Sequence, residues 1–130
     1  MSGYTKTTAL RNTITAQLRT VQGAVYYQNA ADDAIWPYKV FDLRTVNLGD
    51  STRDDLTLTV DVWDFAKDPK RAEAIADNIE ALFNVANLPQ ETILPTFFRE
   101  SRNTIDDPEK QIKHIQLTFL IQNYEREVQV

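Results

Sequence analysis

Strict alternation of polar and apolar side chains over residues 55–62 constrains the fold of this chain more than any other feature. The order is Asp-Leu-Thr-Leu-Thr-Val-Asp-Val. Because successive side chains of a strand point to opposite faces, this period of two predicts a strand with one face in the core. Trp63 and Phe65 fall on the other face. Such aromatics indicate cover either from a second subunit or from the N-terminal helix or a loop of the same chain.

Two other segments carry apolar residues at helical spacing. Residues 7–21 are predicted to form an amphipathic helix. Residues 69–85 are predicted to form a second helix, because Asp68 can cap free N–H groups and Pro69 loses nothing at the first helical position. The apolar stripes of the two helices comprise Leu10, Ile14, Leu18 and Val21, and Ala72, Ile75, Ala76, Ile79, Leu82, Phe83 and Ala86, respectively.

The remaining segments predict four further strands and three polar loops. In the second strand, residues 36–46, apolar residues fall on both faces, which indicates a bulge or partial cover of both faces. The order of helix, three strands, helix and two strands predicts an α+β fold: a mostly antiparallel sheet of four to five strands with two helices packed on one face. The four strands are placed at 24–27, 36–46, 94–101 and 110–124, and the loops at 29–35, 47–54 and 103–109.

Length and composition bound the organisation of the chain. With 130 residues, 42% of them hydrophobic, residues 1–130 are expected to form a single α+β domain with frayed ends at 1–4 and 125–130. The start lacks the apolar core of a signal peptide, and the apolar runs are far shorter than a membrane span. We therefore expect a soluble protein that is not exported and has no membrane partner.

Charge balance and the lack of cysteine exclude several classes of function. A net charge of −5 and a pI of about 4.8 argue against a nucleic-acid groove, which needs clustered Lys and Arg. A chain without cysteine has no disulfide framework, no cysteine-based zinc site and no cysteine nucleophile. This composition fits assembly in a reducing compartment.

Titratable residues give no catalytic pattern. His114 is the single histidine; it lies on the more polar side of a predicted strand without an identified partner, as surface or packing residues commonly do. Acid pairs at 32–33, 54–55 and 106–107 lie in or beside predicted loops, where Asp bonds nearby backbone N–H groups. Three scattered glycines form no phosphate-binding loop. We predict no catalytic residues, no cofactor and no metal, and therefore not an enzyme.

Four segments, in this order after an N-terminal helix, resemble a known family. They read Trp-Pro-Tyr-Lys-Val-Phe at 36–41, Leu-Thr-Val-Asp-Val-Trp at 58–63, Lys-Arg-Ala-Glu-Ala-Ile-Ala-Asp-Asn-Ile at 70–79, and His-Ile-Gln-Leu-Thr-Phe-Leu-Ile at 114–121. Residues 10–124 are thereby similar to the tail completion or tail terminator proteins of long-tailed bacteriophages.

The resemblance implies a structural role in a virion. It implies a homo-oligomeric ring, typically a hexamer, that sits on the last ring of the tail tube, stops tube elongation and joins the tail to the head connector. The implied partners are the tail tube protein and the head-tail connector or neck protein. DNA would pass the lumen without specific binding, in agreement with the acidic balance. The implied location is the neck-proximal end of the tail, after assembly in the host cytoplasm.

Interface residues are expected at the family-like aromatic positions, which also act as fold determinants, and in two polar loops. Long polar loops on a rigid sheet are where contacts are usually made. The interface candidates are Trp36, Tyr38, Trp63, Gly49, Asp50, Arg53, Asp54, Asp106 and Asp107.

Two other functions stay open from the sequence. One is a head-completion or neck protein on the connector side of the same particle, which binds the connector instead of the tube. The other belongs to a different class: a small intracellular binding domain unrelated to viruses, which would be monomeric or dimeric. The partner bound distinguishes the first, and the size of the oligomer distinguishes the second.

Overall fold

A computed structural model describes residues 5–48, 53–84, 86–90 and 92–125. Within these ranges the chain forms two helices and one sheet. The elements in chain order are α1 (Lys6–Leu18), β1 (Ala24–Tyr27), β2 (Tyr38–Leu48), β3 (Arg53–Phe65), α2 (Lys70–Phe83), β4 (Ala86–Asn87), β5 (Ile93–Ile105) and β6 (Ile112–Glu125).

The strands form one sheet in the order β1-β2-β3-β6-β5-β4. β1 runs parallel to β2, and every other pair of neighbouring strands is antiparallel. β3 and β6 form the centre and pair along the whole length of β3. The predicted α+β fold with its mostly antiparallel sheet is confirmed, and β4 adds a two-residue strand that the sequence pattern does not indicate.

Both helices pack on the same face of the sheet, which we call the covered face. Along β3 the side chains from Leu56 to Val62 alternate between buried and half-buried, as the sequence predicts. The helical stripes supply the other side of the core, and burial of each aliphatic side chain contributes about 1.5–3 kcal/mol. The fully buried residues of the helices and strands include Leu10, Ile14, Leu18, Leu58, Val60, Val62, Ala72, Ile79, Phe83, Ile93, Phe97 and Ile121.

The side chains that alternate with the buried ones along each strand point to the opposite face of the sheet, which we call the open face. In β3 they are half-buried or exposed, because neither helix packs on them. One solvated face is common in antiparallel sheets. The open face is therefore the part of the molecule on which the remaining aromatic residues can meet other proteins.

Local capping defines the starts of both helices. The Thr5 hydroxyl accepts the backbone N–H of Thr8 at 3.1 Å and caps α1. The Asp68 carboxylate accepts the backbone N–H of Lys70 at 3.0 Å, so it satisfies a free donor as predicted, although the helix begins at Lys70 and not at Pro69.

Two predicted loops are shorter than expected, and the strands beside them are longer. Only residues 49–52 separate β2 from β3, so Arg53 and Asp54 are strand residues and the prediction of a loop over 47–54 is wrong there. Likewise β5 continues to Ile105, which corrects the loop predicted over 103–109. The polar residues pair with a neighbouring strand, and composition does not reveal such pairing: Asp54, for example, lies opposite Asn123.

Bulges explain the irregular apolar pattern. The register of β2 against β3 shifts between Thr45 and Asn47, which confirms the bulge alternative for the second strand. A second shift, in β5 between Arg99 and Ser101, was not predicted. Each bulge changes which face the following side chains occupy, so strict alternation is lost.

Several predicted boundaries shift by a few residues. α1 ends at Leu18, although Val21 beyond its end is buried as the stripe predicts. β2 begins at Tyr38, and the Trp36–Pro37 peptide before it is cis. Glu125, placed in the frayed end, is the last residue of β6. Residues 1–4, 85 and 126–130, on which predicted ends fall, lie outside the described residues.

Candidate interaction surface

A row of large side chains crosses four adjacent strands at one end of the open face. Tyr38 of β2 lies opposite Trp63 of β3, Trp63 lies opposite His114 of β6, and His114 lies opposite Ile105 of β5. Since neighbouring strands are roughly 4.8 Å apart, the row spans about 15 Å. Trp36 and Phe65 extend it outward. We call these six residues the aromatic band.

Close ring contacts order the centre of the band. The Trp63 and His114 rings stack with centroids 3.7 Å apart and planes 16° apart. His114 Nε2 lies 2.6 Å from Asp61 Oδ1, and the Gln116 amide donates to the same oxygen at 3.1 Å. The sequence identifies no partner for His114, and the pairing of β3 with β6 supplies one by bringing Asp61 beside it. This contact holds the imidazole flat against Trp63.

Trp36, Phe65 and Ile105 are the exposed members of the band. The Trp36 ring lies 5.2 Å from Tyr38 and 6.0 Å from Phe65, measured between centroids. Phe65 is 42% exposed and Ile35, next to Trp36, is 80% exposed. The N-terminal helix is on the opposite face, so the alternative in which it covers Trp63 is wrong. Apolar side chains gathered at one exposed place are typical of contact sites for other proteins.

Directly behind the band, on the covered face, Lys39 is fully buried. Its ammonium donates to the carbonyl oxygens of Val21, Gln22 and Gly23 at 2.8, 2.8 and 2.6 Å. Burial lowers the pKa of Lys39 to about 8, so the group still carries its three donor hydrogens at neutral pH. Lys39 therefore joins the segment that follows α1 to the start of β2 and supports the backbone of the band.

Asp64 is the second buried charge behind the band. The Arg71 guanidinium at the start of α2 donates to both of its carboxylate oxygens, at 2.8 and 2.5 Å. Burial alone would raise the pKa of Asp64, but the Arg71 bonds and the Phe65 N–H outweigh it, so the pKa is lowered. The pair connects α2 to the strand end that carries Phe65.

The turn between β5 and β6 lies beside the band and holds two of the sequence candidates. Asp106 and Asp107 follow Ile105 directly, and the Asp107 carboxylate accepts the Glu109 N–H at 2.9 Å, which is the predicted turn chemistry. A cleft of about 560 Å³ opens between this turn and the start of α2. The structure therefore brings Trp36, Tyr38, Trp63, Asp106 and Asp107 to one end of the sheet.

Two further candidates, Arg53 and Asp54, belong to the opposite end of the sheet. Arg53 donates to Asp55 at 3.0 Å, and Asp54, nearly buried, pairs with Lys6 of α1 at 2.6 Å. Both side chains are thus engaged within the chain. Gly49 and Asp50 lie outside the described residues.

The described residues contain no cluster of metal-binding side chains. No three His, Asp or Glu side chains among them stand close enough to hold a metal ion. Neither α1 nor α2 has the length and apolar character that crossing a bilayer requires. The fold and the surface define a small α+β protein that presents an aromatic band on an open sheet face.

Comparison with known proteins identifies the family. The model of the family "Tail completion protein gp17" matches residues 7–122, so the chain belongs to this family of tail completion proteins. It is thus a structural protein of a phage-type virion tail. No curated protein sequence matches significantly.

Solved structures share the fold. A chain from the virion of a native gene transfer agent particle superposes with a TM-score of 0.76 at 17% identity, covering 95% of this chain and 100% of that one. A second solved chain gives a TM-score of 0.61 at 14% identity, with 94% of each chain covered.

Proposed function

We propose that this protein forms a hexameric ring that caps the head-proximal end of the phage tail tube. In this role it stops tube elongation and joins the tail to the head connector. Its partners are further copies of itself, the tail tube protein and the connector or neck protein. Assembly takes place in the host cytoplasm.

The observation that carries this proposal is the aromatic band on the open face of a chain that belongs to the tail completion family. A capping ring must bind neighbours through its surface and needs no catalytic groups. Trp36, Phe65 and Ile35 give that surface exposed apolar area, and aromatic residues dominate the binding energy of many interfaces. Asp106 and Asp107 beside the band add a polar rim, as protein interfaces commonly have.

The acidic balance supports passage of DNA through the ring. A net charge of −5 disfavours retention of the phosphate backbone, because retention requires neutralisation by Lys and Arg. We therefore expect DNA to cross the lumen without specific binding.

Particle mass in solution tests the proposal. Light scattering and negative-stain imaging are applied to the protein alone and mixed with preformed tubes of the tail tube protein from the same phage. We expect hexamer-sized rings, or smaller species that become rings on tube ends. A protein that ignores tubes and binds isolated connector would instead identify a neck protein, and one that binds neither would overturn the virion-joining role.

A further inference from the structure

The two outermost strands, β1 and β4, each cover only part of the strand beside them. β1 covers β2 at residues 38–41, and no described strand pairs with the outer edge of β2 over 42–48. At the other side β4 covers β5 at residues 96–97, and no described strand pairs with the outer edge over 98–105. Unpaired edges are templates for pairing with another chain.

The two uncovered edges lie at opposite ends of the sheet. The uncovered part of β5 is at the end with the aromatic band, because Ile105 lies opposite His114. The uncovered part of β2 runs away from that end, because β2 starts there at Tyr38. A second copy, displaced along the strand direction, can therefore place one uncovered edge against the other without contact between β1 and β4.

Backbone groups on both edges face outward at compatible positions. The Phe41 carbonyl accepts the Gln28 N–H outside the β2–β3 pair, so by strand alternation Leu43 and Thr45 also turn their N–H and C=O outward. The registers of β2 with β3, β3 with β6 and β6 with β5 extend this alternation to the other edge of the sheet. There the backbone N–H and C=O groups of Arg102 and Thr104 point outward. All four residues have their side chains on the covered face. Pairing of the two edges therefore keeps the helices of both copies on the same side.

We propose that β5 of one copy pairs antiparallel with β2 of the next copy, which is how the ring of the proposed function is closed. The inference rests on that proposed function. Use of both uncovered edges up to their bulges gives the pairs Asp42–Ile105, Leu43–Thr104, Arg44–Asn103 and Thr45–Arg102 between copies. β2 and β5 run in opposite directions within one sheet, so copies in the same orientation make this antiparallel pair.

Side chains support the register. No like charges lie directly opposite each other, because Asp42 faces an isoleucine and Arg44 faces an asparagine, and facing like charges would destabilise the pair. Arg102 already bonds Asp77 of its own α2 at 2.6 Å, which holds its charge away from the edge. Ile105, 38% exposed, gains cover from the neighbouring strand.

The contact joins different edges of each copy. Such a heterologous contact produces a closed ring when the rotation between copies closes, and a filament when it does not. Both bulges lie at the Thr45–Arg102 end of the paired segment, and at the other end β1 and the end of β5 at Ile105 limit it. The contact is therefore confined to four residue pairs, which keeps the edge from extending into open-ended aggregation. A short contact also explains how a tube end can act as template for the ring.

Cysteine cross-linking tests the pairing directly, because the chain has no cysteine of its own. Arg44→Cys and Asn103→Cys are both exposed and would form a pair without mutual hydrogen bonds, with Cα atoms about 4.5 Å apart, within disulfide range. Within one copy the two positions are on strands about 15 Å apart and cannot join. The variants are mixed on tube ends, oxidised and run on a non-reducing gel.

We expect a mixed dimer at least about tenfold above the product from Arg44→Cys mixed with Glu73→Cys, an exposed helix position, since contact in an interface raises the effective concentration to millimolar values. The double variant should give a ladder that ends at the size of the ring. Rings on tube ends without the mixed dimer would overturn the edge pairing and leave the proposed function intact. A ladder of cross-linked species without capping of tubes would support the edge pairing and overturn the proposed function. Absence of both the ladder and the capping would overturn the edge pairing and the proposed function together.

Backbone substitution gives an independent test. Thr104→Pro removes an outward N–H and leaves the bonds to β6 in place, so at unchanged thermal stability it should reduce ring formation on tube ends at least about tenfold. Thr104→Val keeps the N–H and should form rings as the parent does. Equal ring formation by the two variants would contradict the proposal.

Discussion

Lys39 and Tyr38 are neighbours in β2, as Asp64 and Trp63 are in β3, yet each pair divides between the two faces of the sheet. On the covered face Lys39 and Asp64 are charged and fully buried; Lys39 bonds the segment that follows α1, and Asp64 bonds Arg71 of α2. On the open face the aromatic residues are half-exposed and pack mainly on each other. A single step along the chain thus separates groups that hold the fold from groups available to partners.

The difference between the faces follows from the cost of burial. A buried charge is tolerated only when its hydrogen bonds are made within the chain, so its partners must be fixed parts of the fold. An exposed aromatic side chain has no such requirement, and its apolar area is removed from water only when another protein covers it. We therefore expect substitutions on the covered face to change stability and those on the open face to change assembly.

Replacement of the buried lysine should have the largest effect. Lys39→Met keeps the apolar stem but leaves three carbonyl oxygens without their donor, and we expect a loss of about 4 kcal/mol in the free energy of unfolding. Urea denaturation followed by tryptophan fluorescence measures this loss. The control Lys67→Met, at an exposed position, should change stability by less than about 0.5 kcal/mol. Similar losses in the free energy of unfolding for Lys39→Met and Lys67→Met would contradict the stabilising role of the buried charge on the covered face.

Substitution of Gly23, whose carbonyl oxygen is one of the three that Lys39 binds, should have the second-largest effect on stability. Its φ is +97°, and a Cβ there would lie 2.9 Å from the Pro37 carbonyl oxygen. Gly23→Ala should therefore cost about 2–3 kcal/mol, from backbone strain and from displacement of the segment before the band. Thermal unfolding monitored by circular dichroism measures the change. The same substitution at an unstrained position gains or loses less than about 1 kcal/mol, and a result in that range would show that the segment adjusts freely.

Loss of the Arg71 guanidinium should have a smaller and pH-dependent effect. Arg71→Ala leaves the buried Asp64 carboxylate with fewer donors, but Arg71 itself is 43% exposed and water can replace part of the contact, so we expect a smaller loss in the free energy of unfolding at pH 7 than for Gly23→Ala. In the parent the pKa of Asp64 is lowered from 3.8, so its contribution is present above that pH and lost as the pH falls through the folded pKa.

In Arg71→Ala the contribution of Asp64 to the free energy of unfolding should change with pH in the opposite direction from the parent. Without Arg71, burial raises the pKa of Asp64 above its unfolded value, so protonation favours the folded state of the variant. The difference in unfolding free energy between parent and Arg71→Ala should therefore narrow as the pH falls towards 3.8. Urea titrations at several pH values measure it, and a difference that does not depend on pH would show that the pair is solvated.

The sequence predicts the covered face better than the surface. Alternation in β3 and the helical stripes indicate the core, because core residues follow the period of their own element. The partners of Lys39 and His114 could not be predicted, since they come from elements 16 or more positions away in the chain. The aromatic band likewise depends on strand register, which polar loop composition and two bulges conceal.

The smallest effect on stability is expected on the open face. Phe65→Ser removes an aromatic ring that is 42% exposed, so the free energy of unfolding should change by less than about 1 kcal/mol, whereas attachment to tube or connector should fall at least about tenfold. Tyr124→Ser, at the opposite end of the same face and 36% exposed, is the matched control and should attach normally. Attachment is measured by co-sedimentation with tubes and with connector. Equal attachment by Phe65→Ser and the parent would show that the band serves only the packing of its own strands, because a contact that buries Phe65 cannot be indifferent to its loss.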